Sequence, residues 1–444
     1  ELPVLLAEIE AWLIQVLAAH ITGLADVDAL PSGLTKWWQA SNKMLQKSTL
    51  TPDVAVSVEE SLALWQSKTL QWRDHPAFAD QIELLDAAVN HLAGILKGEL
   101  SAQQVLFPKS DIAMLERVYQ DSPSARFYNQ LLSSAVVQAI EFAGAGTSQA
   151  GVRILEIGAG TGGTTSAVLC DLAKHGFNVA LYDFTDISKV FLDHAKRKYV
   201  ATYPYVKTRI LDIERDPAAQ GVDTGSYDIV IASNVLHATK DIRNTLYNAQ
   251  SLLKAGGILL LNEINDVSLL SHMTFGLTEG WWRFDDAQMR LEGSPALSFM
   301  HWQSALRQTH FRDVKRLGRQ LDGMGQQIIC AHSNGLYLTS NEMTQHTPSI
   351  VYDIVDNHTH KLTTAHTQQT QQSHQALLAV VVAQVTQALD IEPERFDVHR
   401  PFSEFGLDSI LGVSVTENIH QALNIALNPT DLFDYAPALY LIHL

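Results

Sequence analysis

The stretch that most constrains the fold is residues 151–166, GVRILEIGAGTGGTTS, where an apolar run from Val152 to Ile157 leads into a turn rich in glycine. The run predicts a buried strand, and the segment after the turn predicts a helix. Because glycine has no Cβ atom, such a turn bends tightly and brings backbone N–H groups close to a bound molecule at the helix amino terminus. We therefore expect residues 158–163, here called the glycine loop, to hold a cofactor.

The glycine loop alone does not identify the cofactor. The spacing Gly158-x-Gly160-x-x-Gly163 also satisfies the dinucleotide-binding pattern, and Asp183 or Asp186 lies about where a ribose-binding acid is expected. A tight turn between a strand and a helix, without any ligand, is a further alternative.

Composition limits the class of protein. The 444 residues are 46% hydrophobic and 18% charged, which predicts two or three globular domains. A net charge of −17 disfavours nucleic-acid partners, which need a basic surface. With only Cys170 and Cys330, no secretory signal and no apolar run long enough to cross a bilayer, we expect a cytoplasmic protein without a membrane partner. A helical pattern already under way at Glu1 is expected of a segment of a longer chain.

Residues 1–110 have apolar positions every three or four residues, which predicts helices in 5–21, 57–72 and 82–98. We expect this region to be a helical lid. Three of its tryptophans are interpreted as anchors of a core or an interface rather than as ligand contacts: Trp37, Trp38 and Trp72.

Residues 111–333 begin with one or two helices and then alternate between strand and helix. This pattern predicts an α/β fold, a doubly wound and mostly parallel sheet with helices on both faces. The predicted strands are ILEIG, NVALYDFTDI, TRILDIE, YDIVIASNV and GILLLNEI, with a closing strand near QQIICAHS.

The carboxyl ends of neighbouring parallel strands share one edge of a sheet, so polar residues at strand ends should face one cleft. These residues are Asp186, Asp212 with Ile213, Asn234 to His237, and Glu263. A dinucleotide-dependent dehydrogenase has no need of a histidine and a carboxylate at the fourth and fifth strand ends. A methyltransferase has a use for them.

Six motifs together carry a resemblance that covers about half the chain. The sequence is similar to the C-methyltransferase domain of polyketide synthases, class I enzymes that use S-adenosylmethionine, and the resemblance also implies the helical lid. The motifs are EIGAGTGGTT (156–165), FTDIS (184–188), LDIERDPAAQG (211–221), YDIVIASNVLHAT (227–239), LLKAGGILLLNE (252–263) and FGLTEGWWR (275–283).

The adenosine and methionine parts of S-adenosylmethionine require a loop for close approach, an acid for the ribose and an acceptor for the adenine amine. Asp186 is the ribose acid by position, Asp212 is the candidate for the adenine, and Glu156 holds the loop amides or the methionine end. Asn234 binds the cofactor or an enolate. The full set of predicted cofactor-binding residues is Glu156, Gly158, Gly160, Gly162, Asp186, Asp212, Ile213 and Asn234.

Carbon becomes a nucleophile only after it loses a proton. A neutral histidine oriented by a carboxylate suits that task, and no metal is needed. His237 and Glu263 resemble the His–Glu dyad of the family, with His237 as base and Glu263 as its orienting partner; an isolated histidine would instead be structural. Candidates for the acyl pocket, each with packing as an alternative role, are Tyr119, Tyr128, Trp281 and Trp282.

The tail predicts a second function. Residues 334–372 are polar and read as a flexible linker, with a metal site at His358, His360, His366 and His374 as the disfavoured alternative. Residues 373–444 read as a small helical bundle with nine acidic and two basic side chains between positions 390 and 434. The run FGLDSI resembles the acyl carrier protein signature, which implies 4′-phosphopantetheine on Ser409; a simple helix cap is the alternative.

These features together predict a segment of a modular polyketide synthase that methylates the α-carbon of a β-ketoacyl chain tethered to its carrier domain. The expected partners are this carrier-bound substrate and the neighbouring synthase domains. Two alternatives stay open, namely methylation of a β-hydroxyl oxygen and a non-catalytic scaffold beside a carrier.

Overall fold

The computed structural model of this chain forms two compact units, residues 1–336 and 337–444. The described residues are 2–23, 30–48, 57–75, 78–106, 112–143, 146, 149–318, 325–335, 367–398, 400, 402–407, 409–423 and 432. The predicted boundary at residue 110 and most of the predicted linker, 336–366, lie outside them, so these domain limits stay predictions.

The amino-terminal region is helical, as predicted. The helix Leu2–Gly23 (α1) buries Leu13, Val16 and Leu17, which follow the three-to-four-residue spacing of one helix face. By length and composition alone, Leu5–Gly23 also satisfies the criteria for a membrane span, criteria that a helix packed in a protein core meets as well. The other helices are α2 (Thr35–Lys47), α3 (Val58–Trp72), α4 (Ala79–Leu96) and α5 (Ala102–Leu106).

Buried tryptophans fix these helices, in agreement with the predicted anchor roles of Trp37 and Trp72. Trp65 and Trp72 pack edge to face at 5.8 Å between ring centroids. The indole of Trp65 donates to Asp86 on α4 at 3.0 Å. Trp38 is half-buried. These contacts join α3 to α4 through both apolar area and a satisfied polar group.

Three consecutive helical segments lead into the sheet. They are α6 (Ala113–Glu116), a π-helical turn (Arg117–Asp121) and α7 (Pro123–Phe142). Ser122 caps α7 by accepting from the N–H of Ala125, and Pro123 occupies its first turn, where a missing N–H costs nothing.

One seven-stranded sheet forms the second half of the first unit, in the order β3-β2-β1-β4-β5-β7-β6. Strands β1 to β5 pair in parallel, whereas β7 is antiparallel to both β5 and β6. This confirms the predicted doubly wound, mostly parallel fold. The bounds are β1 (Val152–Ile157), β2 (Val179–Asp186), β3 (Val206–Ile210), β4 (Tyr227–Ser233), β5 (Leu253–Ile264), β6 (Phe311–Leu317) and β7 (Gln326–Ser333).

Helices cover both faces of this sheet and create two apolar cores. On one face, Leu246 and Trp302 pack against sheet residues such as Leu155. On the other face, Leu132 and Val168 pack against sheet residues that alternate with the first set. The helices on the sheet are α7, α8 (Gly163–His175), α9 (Lys189–Tyr199), α10 (Ile242–Leu252) and α12 (Phe299–Gln308). A short helix, α11 (Leu269–His272), contacts α1.

The second unit contains the helices Thr367–Leu389 and Ser409–Leu423, with short 3-10 turns at Pro393–Arg395 and Phe402–Phe405. The first helix begins at Thr367, so residues 367–372, which were predicted to be linker, are helical. Phe402 is fully buried and stacks at 6.1 Å on Phe396, as in the core of a small bundle.

Candidate active site

The glycine loop leaves β1 and enters α8 through three residues in the left-handed region. Gly158, Gly160 and Gly162 have φ values of 56°, 55° and 79°. A Cβ atom on Gly158 would lie 2.3 Å from Cγ2 of Val235, and one on Gly162 would lie 2.6 Å from the hydroxyl of Tyr199. Glycine is therefore required at both positions by close approach as well as by φ. A Cβ on Gly160 would meet no atom closer than 3.9 Å, so this residue faces open space.

Asp186 braces the glycine loop from the end of β2. One carboxylate oxygen accepts from the N–H of Gly160 at 2.9 Å, and the other accepts from the N–H of Ser188 at 2.8 Å. This is the strand end at which the sequence predicts a ribose acid. Each carboxylate oxygen can accept a second hydrogen bond, so bracing the loop is compatible with that role, which stays a prediction.

Glu156 lies beneath the loop with 1% of its surface exposed. Its Oε2 accepts from the hydroxyl of Thr165 at 2.6 Å and from that of Tyr182 at 2.5 Å. Among the described residues, its hydrogen bonds run to these hydroxyls and not to the loop amides, because strand alternation places it on the face covered by α8. The structure therefore does not pair Glu156 with the loop amides, and binding of the methionine end, the other role that the sequence suggests, stays a prediction. Burial raises the pKa of Glu156 from 4.5 to about 7, against the lowering effect of the two hydroxyls.

Asp212 and Ile213 directly follow β3 at the same sheet edge. Asp212 is half-buried, and its Oδ1 accepts from the N–H of Glu214 at 3.0 Å. The side chain of Gln220 bonds both main-chain groups of Asp212 at 2.8 Å, and Ile213 is buried. Both residues therefore lie in a hydrogen-bonded loop at the carboxyl edge of the sheet, and their cofactor-binding roles stay predictions.

His237 and Glu263 lie together, as the strand-end argument predicts. The Nδ1 of His237 is 2.6 Å from Oε2 of Glu263, and the carboxylate is fully buried. The other oxygen, Oε1, accepts from the N–H groups of Leu236 at 2.8 Å and Val235 at 3.2 Å. Because a carboxylate only accepts, it assigns the proton to Nδ1 and leaves a lone pair on Nε2.

Asn234 joins β4 to the turn that carries His237. It has a φ of 53°, and its N–H donates to the carbonyl of Asn262 at 2.7 Å. Within the described ranges, its buried Oδ1 has no hydrogen-bond partner. An unsatisfied buried acceptor beside a loop that requires glycine fits a ligand that supplies a donor. The residues present therefore fit S-adenosylmethionine, whose methionine end carries an ammonium group.

A row of aromatic rings runs from the glycine loop to His237. The ring of Tyr119 lies 6.0 Å from that of Phe275, Phe275 lies 6.5 Å from Trp281, and Trp281 stands edge to face at 5.9 Å from the imidazole. The carbonyl of Tyr119 lies 2.5 Å from where a Cβ on Gly163 would be. These residues, here called the aromatic row, place Tyr119 and Trp281 at the site. Sequence reasoning missed Phe275, which lies within the FGLTEGWWR motif.

The other two pocket candidates lie elsewhere. Trp282 is buried toward α2, where its carbonyl accepts from Lys36 at 2.8 Å and its ring packs against His272. Tyr128 is buried in the core beneath the sheet, and its hydroxyl donates to the carbonyl of Gln326 at 3.3 Å. Packing, the alternative that the sequence analysis kept, accounts for both positions.

A buried ion pair supports the turn that carries His237, and sequence reasoning missed it. Arg290 and Asp286 are joined at 2.6 Å, with 5% and 7% of their surfaces exposed.

In the second unit, Ser409 is the first residue of the helix Ser409–Leu423, as predicted for a carrier serine. Its side chain and Asp408 lie outside the described part of the chain.

Two known families match separate parts of the chain. Residues 155–259 match a family described as a methyltransferase domain, and residues 379–438 match one described as a phosphopantetheine attachment site. The chain is 35% identical over 443 residues to polyketide synthase ThaG of Burkholderia thailandensis, covering 94% of this chain and 8% of ThaG. It is 36% identical over 355 residues to polyketide synthase PksR of Bacillus subtilis, covering 80% and 14%. The chain therefore spans a small fraction of these relatives.

Solved structures match about three quarters of the chain. The DszA carbon methyltransferase is 30% identical with a TM-score of 0.67, covering 75% of this chain and 91% of that one. The CurJ carbon methyltransferase is 30% identical with a TM-score of 0.65, covering 74% and 92%. The trans-methyltransferase CalH, solved in complex with SAH, is 28% identical with a TM-score of 0.58, covering 73% and 89%. On these matches, the chain belongs to the S-adenosylmethionine-dependent carbon methyltransferase domains of polyketide synthases, followed here by a phosphopantetheine attachment domain.

Proposed function

We propose that the first unit methylates the α-carbon of a β-ketoacyl chain that the carrier domain holds on the pantetheine arm of Ser409. The observation that carries the proposal is the 2.6 Å contact between Nδ1 of His237 and Glu263. This contact leaves Nε2 as a base, which an α-carbon flanked by a ketone and a thioester needs before it can react.

The proton moves from carbon to the imidazole. The C–H bond at the α-carbon breaks, its proton binds Nε2 of His237, and its electron pair passes into the enolate of the ketone and thioester. The buried Glu263 carboxylate stabilises the imidazolium that forms, because opposite charges attract strongly where water is excluded. Loss of the proton thus generates the carbon nucleophile.

The glycine loop, Asp186, Asp212 and Asn234 would hold S-adenosylmethionine. When bound, it supplies an electrophilic methyl group on a sulfonium sulfur. The half-buried rings of Phe275 and Trp281 limit the access of water to the imidazole, which protects the enolate from reprotonation.

The test uses the whole chain with phosphopantetheine installed and loaded with a β-ketoacyl group. After incubation with S-adenosylmethionine, mass spectrometry should show one added methylene on the acyl chain. His237→Ala should abolish the gain while the dissociation constant of the cofactor changes little. His175→Ala removes an exposed histidine at the far end of α8 and should leave the gain unchanged.

A matched β-hydroxyacyl substrate separates carbon from oxygen methylation. A gain on the hydroxyacyl chain without one on the ketoacyl chain would overturn the proposal in favour of oxygen methylation. Full activity of His237→Ala would overturn the assigned base. Cofactor binding without a gain on either substrate would favour the scaffold alternative.

A further inference from the structure

Arg290 is a fully buried cation whose five N–H groups are all used. Its Nε and Nη2 donate to the two oxygens of Asp286 at 2.6 and 3.1 Å. The remaining donors reach three main-chain carbonyls, those of His237 at 2.7 Å, Thr239 at 3.0 Å and Pro295 at 3.0 Å. A guanidinium has five donors in a fixed plane, so this geometry leaves it no freedom.

Asp286 extends the same network to the start of α10. Its Oδ2 also accepts from the N–H of Ile242 at 2.8 Å. The pair therefore holds the segment from His237 to Ile242 at two carbonyls and one amide. This segment is a short 3-10 turn, Leu236–Ala238, followed by extended backbone, so few of its polar groups can be satisfied internally.

His237 is consequently fixed from two sides. Glu263 holds its Nδ1 and the amides that precede it, whereas Arg290 holds its carbonyl. A buried ion pair is weak evidence for stability by itself, since apolar residues of similar volume often serve as well. What apolar residues do not provide is directional bonding to the carbonyl of the residue that bears the imidazole.

We infer that Arg290, oriented by Asp286, is a positioning residue that fixes the main chain of His237 and so aims Nε2 at the substrate. This inference rests on the proposed role of His237 as base. Arg290 itself touches neither substrate nor cofactor in this assignment, and it acts through the histidine.

The test compares Arg290→Lys with the wild-type chain, loaded on its carrier as above. Lysine keeps the charge but cannot reach Asp286 and both turn carbonyls at once. The kcat for methylation should fall 10- to 100-fold. The KM for S-adenosylmethionine and the dissociation constant of this cofactor should stay within threefold of the wild-type values. Arg153→Lys is the matched control, because Arg153 is half-buried and paired with Asp223 at 3.3 Å at the opposite end of β1. Its kcat should not change.

Nuclear magnetic resonance gives a readout that does not depend on activity. The proton between Nδ1 of His237 and Glu263 should give a downfield signal, identified by its loss in His237→Ala. In Arg290→Lys this signal should shift or broaden, while the melting temperature shows that the chain is folded. If Arg290→Lys does not fold, Asp286→Asn takes its place, since it retains the guanidinium and should lower kcat 3- to 10-fold with the same change of signal.

The two hypotheses fail differently. A folded Arg290→Lys with wild-type kcat and an unchanged signal overturns the positioning role and leaves His237 as the base. Full activity of His237→Ala overturns the assigned base, and the signal then decides alone whether Arg290 orients the imidazole.

Discussion

Replacing Glu263 with glutamine should separate the two tasks of this carboxylate. Its Oε1 serves the amides of Val235 and Leu236, and its Oε2 serves His237. The amide oxygen of glutamine can still accept from the two backbone N–H groups. Its NH₂ group would then face Nδ1, which must become an acceptor, so the imidazole proton moves to Nε2 and the base is lost.

The expected loss of rate follows from this exchange of tautomer. General base catalysis contributes about 10²- to 10⁴-fold, and removing the orienting carboxylate of a Ser-His-Asp triad costs about 10⁴ in kcat. We expect Glu263→Gln to lower kcat by about 10³-fold. Stability should change little, whereas Glu263→Ala leaves three buried donors unpaired at about 1–3 kcal/mol each and should lower the free energy of unfolding by about 3–9 kcal/mol.

The assay follows the added methylene by mass spectrometry, with urea unfolding measured in parallel. Asp228→Asn is the matched control: Asp228 also accepts from a backbone N–H, that of Arg153 at 2.9 Å, but it lies at the start of β4, at the opposite end of that strand from the turn that carries His237. It should retain kcat within about threefold. A Glu263→Gln variant that methylates at near the wild-type rate would refute the assignment of the tautomer and with it the role of Glu263.

Three further outcomes are expected. Gly158→Ala should weaken cofactor binding at least 10-fold, measured by calorimetry, because its Cβ would strike Val235. The control Gly176→Ala also has a positive φ, 66°, but its Cβ would meet no atom within 4 Å, so its affinity for the cofactor should not change. Equal affinities of the two variants would contradict the close-approach argument. Burial holds the pKa of Glu156 at about 7, so the folded state binds more protons than the unfolded state between pH 4.5 and 7. The free energy of unfolding should therefore fall by about 3 kcal/mol as pH rises through that range, a slope that Glu156→Gln should remove in urea titrations. Burial lowers the pKa of His272 to about 3, so the free energy of unfolding should decrease as pH falls below 6.5, by about 2 kcal/mol at pH 5. If His272→Gln shows the same dependence of this free energy on pH as the wild type, His272 is not its cause.

The parallel sheet is what made the dyad predictable from sequence. Parallel strands end at one edge, so a histidine after β4 and a glutamate at the end of β5 were expected to meet, and the β4–β5 register pairs Ser233 with Asn262 just before them. The strand β6 was not predicted. Its buried residues, Phe311 and Val314, lie three apart because the register shifts between Arg312 and Lys315, and that spacing resembles a helix rather than a strand.

Contacts made with the main chain leave no pattern in the sequence. Arg290 bonds the carbonyls of His237, Thr239 and Pro295, and any residue at those positions presents the same carbonyl. The hydroxyl partners of Glu156 were not predicted, for a related reason. Its position near the end of β1 is visible in the sequence, but whether hydroxyls or amides lie beneath the loop depends on how α8 packs.

The turn after β4 explains why an anion and a cation flank one histidine. The chain leaves the sheet abruptly at Asn234, with a φ of 53°, and so loses the ladder partners of the next residues. The amides left without ladder partners point to one side, where Glu263 accepts from them. The carbonyls point to the other side, where Arg290 donates to them. The charge that satisfies the amides also orients the imidazole. A sharp exit from the sheet thus creates both the need for a buried carboxylate and the position from which that carboxylate can set the tautomer of His237.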